Sequence, residues 1–228
     1  MERKFNKAVT FSYDDGVLSD EKLASIFNRY GMKCSFNLNS GLYPTEPFIY
    51  DNHFTVYRHE SAVQPFYRGH EICMHGTKHL NPVGLSDAEL DIEFRDDKTA
   101  LERAFGTEII GGAYAYGAYD DHAVEYLRNL GIRYCRTVEA SRSLQVTGDL
   151  LKLKPTCHHK DEALFDLIDE FLKTEADTPQ ILYIWGHAYE FDGDENWERI
   201  EKACSLLAGK PDVLYGTNTE VFRYFGLI

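Results

Sequence analysis

Two carboxylates and two histidines carry the strongest chemical signal in the chain. Asp14 and Asp15 end the run Ala8-Val9-Thr10-Phe11-Ser12-Tyr13 and are followed at once by Gly16. An apolar run of this kind predicts a buried strand, and Asp-Gly at its end predicts a sharp turn. Sheets and barrels of the α/β class bind their ligands at the carboxyl ends of the strands, so both carboxylates sit where such folds do chemistry. Successive residues of an extended chain point to opposite sides, so the pair shares one pocket only if the turn redirects one of them. His75 and His79 follow a second apolar segment, Ile72-Cys73-Met74. Residues four apart fall on one face of a helical turn, which would bring both rings to one ion. Two imidazoles and one carboxylate suit a divalent transition metal such as zinc, and three protein ligands leave a coordination position open for water, as catalytic sites require. Each pair alone has an ordinary explanation, a plain Asp-Gly loop or a solvated face. The two together, each placed after a strand, point to metal-dependent chemistry.

Thr10-Phe11-Ser12-Tyr13-Asp14-Asp15-Gly16, and Gly69-His70-Glu71-Ile72 leading into His75 and His79, resemble the first two motifs of the polysaccharide deacetylases. Those are metalloenzymes that remove acetyl groups from N-acetyl sugars. Leu182-Tyr183-Ile184-Trp185-Gly186-His187 resembles the late motif of the family, and Ala113-Tyr114-Ala115-Tyr116-Gly117 falls where the family has Arg-Pro-Pro-Tyr-Gly. The resemblance runs in order over nearly the whole chain. It implies an irregular (β/α) barrel with seven parallel strands, one catalytic domain spanning 1–228. It also implies that Asp15, His75 and His79 hold the metal, most simply zinc, with cobalt, nickel or manganese as alternatives. Asp14 would be the general base, the backbone N–H of Tyr116 would hold the oxyanion, and His187 would protonate the leaving amine. The chemistry is coherent, because a carboxylate beside a cation stays ionised and accepts a proton, while a metal acidifies water and polarises an acyl oxygen.

The chain also departs from the family pattern. The arginine expected to orient the base is Ala113 here, and the tryptophan-containing fourth motif is not recognisable. Arg136, at the end of a later strand-like segment, is the first candidate to replace it, and Arg142 the second. Glu190 could orient His187 or grip substrate. Aromatic faces suit sugar rings, and Tyr119 and Trp197 are the candidate substrate contacts, whereas Trp185, inside an apolar strand, reads as core. The expected substrate is an N-acetylated saccharide or a related small amide. Rival readings are hydrolysis of another non-peptide C–N bond, an iron oxygenase site, and a non-catalytic metal- or sugar-binding module. The adjacent Asp pair speaks against the oxygenase, which needs no neighbouring base.

The elements that must position these groups follow from periodicity and punctuation. Ser19 is the expected cap of a helix to Tyr30, with Gly31 as its stop. Lys33–Leu38 reads as a strand. Residues 41–68, broken by Gly41, Pro44, Pro47 and Pro65, are longer than ordinary connections and predict a lid or groove wall, a packed excursion or an oligomer contact. His53, His59 and His70 within and beside it read as structural. Ser86 to Glu89 is a capping box opening a helix to Phe105. Strands over 109–113, 132–138, 150–156, 180–185 and 213–216 alternate with helices over 120–130, 161–174 and 194–207, and a last helical turn spans 219–225. His158 and His159 read as a rim or surface pair. Alternation implies a parallel sheet of seven or eight strands.

Composition sets outer limits. The 228 residues are 43% hydrophobic, ample for a core, and the net charge of −13 argues against nucleic acid or anionic membranes as partners. No apolar run approaches a membrane span, and the start Met1-Glu2-Arg3-Lys4-Phe5 lacks the apolar core of a signal peptide, so a cytoplasmic location is expected of a complete chain. Cys34, Cys73, Cys135, Cys157 and Cys204 form no Cys-x-x-Cys pair and read as small core residues.

Overall fold

The computed structural model describes residues 5–228. The strands are β1 (Lys7–Asp14), β2 (Cys34–Leu38), the hairpin β3 (Phe48–Tyr50) and β4 (Phe54–Val56), β5 (Glu71–Met74), β6 (Gly111–Ala113), β7 (Tyr134–Arg136), β8 (Cys157–His158), β9 (Gln180–His187) and β10 (Val213–Tyr215). The helices are α1 (Asp20–Tyr30), α2 (Asp87–Leu90), α3 (Asp96–Phe105), α4 (Asp121–Asn129), α5 (Leu164–Lys173), α6 (Tyr189–Gly193), α7 (Glu198–Leu207) and α8 (Asn218–Phe225). No described helix is long and apolar enough to cross a membrane.

Parallel pairing runs β7-β6-β5-β2-β1-β9-β8. The segment entering β8 joins the two ends of this path. Leu153 bridges Arg136 of β7 in parallel, and a few residues on Cys157 pairs with Ile184 of β9. Seven strands therefore form the barrel. β10 is an eighth, paired with Lys7–Val9 of β1 below the point where β2 joins at Phe11. β1 is buried at every position, as a central strand covered on both faces must be. Its alternate residues Val9, Phe11 and Tyr13 pack with Leu23 and Phe27 of α1, while Ala8 joins Tyr134, Tyr183 and Phe222 in a second cluster. α8 docks against that second cluster. Asn218 accepts a hydrogen bond from Thr10 (2.8 Å) and donates to the Tyr183 hydroxyl (2.7 Å).

Several expectations are adjusted. Ser19 stands at the start of α1 but does not cap it; its hydroxyl donates to Asp192 at 2.5 Å instead. The helix after Ser86 is capped as expected but carries a π-helical turn over Asp91–Arg95, between α2 and α3. The helix expected over 194–207 begins only at Glu198 as α7; a separate short helix, α6, precedes it, and Glu195 between the two is left-handed at φ 52°. All five cysteines are free and buried.

Candidate metal and acid–base site

The Asp-Asp-Gly turn solves the problem of aiming two neighbouring carboxylates at one place. Asp15 takes φ 79° and Gly16 φ 64°, a region that ordinary residues rarely enter. His75 Nε2 consequently lies 3.8 Å from Asp14 Oδ2 and 3.6 Å from Asp15 Oδ1. Residues of the 41–68 segment clamp this turn. The Tyr43 hydroxyl donates to the carbonyls of Asp15 (3.4 Å) and Gly16 (3.0 Å), and Arg58 Nε donates to Asp15 (3.2 Å). A Cβ at position 16 would sit 1.5 Å from the Tyr43 hydroxyl oxygen, so only glycine fits.

His75 and His79 do meet, but not on a helical face. They lie on an irregular loop in which Gly76 (φ 84°) and His79 (φ 55°) are both left-handed. Buried side chains hold the loop by its backbone. Asp97 accepts from the N–H groups of Ser40 (2.7 Å), His75 (3.0 Å) and Gly76 (2.9 Å). Glu93, turned inward by the π-helical turn, accepts from Lys78 (3.1 Å) and Leu80 (2.7 Å). Burial pushes the Asp97 carboxyl up to about 6 even against these donors.

Three atoms then face one another. His75 Nδ1 donates to the Ala113 carbonyl at 2.8 Å, which leaves the Nε2 lone pair toward Asp15. His79 Nε2 lies 3.6 Å from the same Asp15 Oδ1. Burial, then the neighbouring His75, holds His79 down to about 4 and hence neutral. Asp15 Oδ1 is buried with no hydrogen-bond partner, although such atoms are nearly always satisfied. An orphaned carboxylate oxygen between two imidazole nitrogens fits a divalent cation, and these residues group as a set able to hold one.

Sheet register supplies the remaining groups. Asp14 pairs with Asn37 of β2 on one side and with His187 of β9 on the other. Asn37 Nδ2 donates to Asp14 Oδ1 at 2.7 Å. Ala113 and Arg136 are direct partners between β6 and β7, so a guanidinium rises from the position beside Ala113. Arg136 is fully buried and donates to Asp14 Oδ2, to Ser12 Oγ (3.3 Å) and to the Thr137 carbonyl (3.0 Å). Its guanidinium lies 4.2 Å from the Trp185 ring centre. Burial pushes Asp14 up, but Arg136, His75 and His187 outweigh it and hold the carboxyl at about 2.

His187 Nε2 is 3.9 Å from Asp14 Oδ2, and its Nδ1 is 3.3 Å from Glu190 Oε2. Burial would lower this histidine, but Glu190 and the charges of Asp15 and Asp14 raise it to about 9. Glu190 is itself buried and also lies within reach of His158 and His159. That pair is no surface feature, since His159 is 1% exposed.

Tyr119, Trp197 and Arg142 stand apart from this cluster, whereas Tyr116 borders it. Tyr116 is left-handed (φ 58°) and exposed, with its ring 4.6 Å from that of His79. Tyr119 stacks on Tyr114 with Lys152 over it. Trp197 Nε1 donates to Asp192 at 2.7 Å. Arg142 pairs with Asp161 at 3.3 Å. Asn37, Glu93 and Asp97 went unnoticed in the sequence. The signal for the latter two was acidic residues in the buried stripe Leu90, Phe94 and Leu101. A cavity of about 860 Å³, lined by Arg68, His70, Glu71 and Arg223 among others, contains none of the clustered carboxylates or histidines.

An α/β barrel thus gathers two carboxylates, an arginine and three histidines near the ends of its strands, groups able to hold a cation and to move protons. The polysaccharide deacetylase family model matches residues 2–135, more than half of the chain, and the protein belongs to that family. The matched stretch includes Asp14, Asp15, His75 and His79, stops one residue before Arg136, and does not reach His158, His187 or Glu190. Among curated proteins none matches. A Mycobacterium smegmatis protein assigned as a polysaccharide deacetylase superposes with a TM-score of 0.69 at 16% identity, covering 100% of this chain and 92% of that one. The PuuE allantoinase superposes at 0.71 and 11% identity, covering 99% and 91%. A CE4-family pseudoenzyme of Bacillus anthracis gives 0.55 at 13% identity; this chain is covered over 96% and spans 66% of that longer chain. At such identities the likeness is one of fold.

Proposed function

We propose that the protein is a metal-dependent hydrolase that removes acetyl groups from an N-acetylated saccharide or related small amide. The observation that carries this reading is the opposition of Asp14 and His187, register partners on adjacent strands, beside the orphaned oxygen of Asp15. Asp15, His75 and His79 would hold the metal, and the donor set favours zinc, with cobalt, nickel or manganese as alternatives. When bound, the metal supplies acidification of water and polarisation of the acyl oxygen.

The chain's own groups do the proton work. Asp14, kept ionised by Arg136, accepts the proton of the attacking water. The Tyr116 N–H donates to the oxyanion formed at the acyl carbon. His187, kept protonated by Glu190, gives its Nε2 proton to the amine nitrogen as the C–N bond breaks, and acetate and free amine leave. The β3–β4 hairpin walls one side of the site. Phe48 and Tyr50 pack on Tyr189 at 5.4 and 5.3 Å, and Tyr189 lies 5.2 Å from the His187 ring.

The test is acetate release from N-acetylglucosamine oligosaccharides by the zinc-loaded protein, with Asp14→Asn as control. Release by the wild type alone supports the reading. A protein that binds zinc yet releases no acetate overturns the saccharide assignment.

A further inference from the structure

Glu190 Oε2 lies 3.0 Å from His158 Nε2, 3.3 Å from His159 Nε2 and 3.3 Å from His187 Nδ1, and it accepts the His187 backbone N–H at 3.1 Å. Three of these residues, His158, His159 and Glu190, have the composition of a second metal site. The far side of each ring decides against that. The Lys160 N–H donates to His158 Nδ1 at 3.1 Å, so that nitrogen holds a lone pair and the ring proton is on Nε2, toward Glu190. Burial keeps His159 neutral, well below its ordinary range, and keeps the Tyr13 hydroxyl protonated. Tyr13 lies 3.2 Å from His159 Nδ1. With the ring proton on Nε2, Tyr13 donates to Nδ1 and the Nε2–H lies toward the carboxylate, 3.3 Å away. The other tautomer would set a lone pair against Glu190. Both rings thus offer N–H groups where a metal would need lone pairs.

We propose that His158 and His159 are positioning residues, which lock Glu190 and through it hold His187 in place as the proton donor. The inference rests on the reading of His187 as the acid. The socket is built for the purpose. A Cβ on Gly186 would fall 2.0 Å from His159 Nδ1, so the residue before His187 must be glycine for His159 to fit. The His159 ring stacks on Phe191 at 4.0 Å, and Arg199 donates to the carbonyls of His159 and Asp161, both at 2.7 Å. His158 meets Trp185 edge-on at 4.5 Å, and Trp185 also borders Arg136, the partner of Asp14. The groups facing His187 are Asp14 on β1, Glu190 on α6 and His158 on β8, with the charge of Asp15 beyond and the ring of Tyr189 alongside. Donors on Glu190 share its charge, so each one removed leaves more of it to His187.

Imidazole ¹⁵N NMR on the zinc-loaded full chain tests this without turnover. In the wild type, His158 and His159 are expected as neutral Nε2–H tautomers and His187 as imidazolium at pH 7. In His158→Leu, His187 should titrate about half a unit higher, roughly a threefold change in its proton affinity. His158→Gln, which keeps an N–H donor, should return it toward the wild type. A proton on Nδ1 of either ring, an unmoved His187 titration in His158→Leu, or perturbation of both rings by a second equivalent of zinc would each overturn the proposal. Failure to release acetate would instead strike the proposed activity and leave the tautomers to be read on their own.

Discussion

His75 and His187 stand 3.8 and 3.9 Å from the same oxygen of Asp14, and we propose opposite tasks for them. Each presents Nε2 to the pocket from the end of a strand. What differs is the group behind Nδ1. For His75 it is the Ala113 carbonyl, which fixes the tautomer without adding charge and turns the Nε2 lone pair to the pocket, as the proposed ligand role requires. For His187 it is the Glu190 carboxylate, which favours the imidazolium and makes a proton donor. The proposed roles therefore follow from the second partner of each ring rather than from the residue type.

The most severe way to break this comparison is His75→Ala. Metal content by elemental analysis should fall to background and acetate release should vanish; retention of stoichiometric metal would remove His75 from the ligand side. Asp14→Asn should keep the metal and lower the rate by about 10²–10⁴-fold, the usual contribution of a general base. Loss of metal in that variant would mean that Asp14 and Asp15 exchange roles.

Arg136→Ala strips a buried carboxylate of its partner, which costs about 3–5 kcal/mol by urea unfolding, and it should cut the rate with little change in metal content. The pH sign follows from the depressed Asp14. Its folded value of about 2 lies below the unfolded one, so the pair stabilises above about pH 4 and that stability is lost as pH falls toward 2. Arg136→Ala should lose less stability over that window than the wild type does.

Glu190→Gln sharpens the acid side. On the proposed role His187 acts in its protonated form, so the wild-type rate should decline as pH rises through about 9. The amide should move that limb down toward the ordinary histidine value of about 6.5 while metal content holds. The same raised value stabilises the fold below about pH 6.5 and ceases to do so as pH climbs through 9, a dependence the variant should lose. The smallest effect is expected for Trp197→Phe. It gives up the hydrogen bond to Asp192, worth about 1 kcal/mol in thermal or urea unfolding, and should leave KM unchanged. A clear rise in KM would return Trp197 to the substrate contacts.

Local pattern was enough to place Asp14 and Asp15 at a strand end and His75 and His79 after another, because strand, turn and donor type are all short-range properties of the chain. The alternation of strands and helices likewise announced a parallel sheet, and the family resemblance implied that it closes into a barrel. Distances across the barrel were another matter. Arg136 was already preferred to Arg142 for its place at a strand end, but its contact with Asp14 needed the register that sets it beside Ala113. Pairing Asp14 with His187 needed the alignment of β1 and β9. The loop carrying His79 was misread as helical because its shape comes from Asp97 and Glu93, which lie well along the chain. His158 and His159 looked like surface residues because nothing nearby in sequence reveals Glu190, more than thirty positions on. Residue types and local periodicity determined which chemistry was available. Strand register and packing, which join residues far apart in sequence, decided which histidine could bind a metal and which could give up a proton.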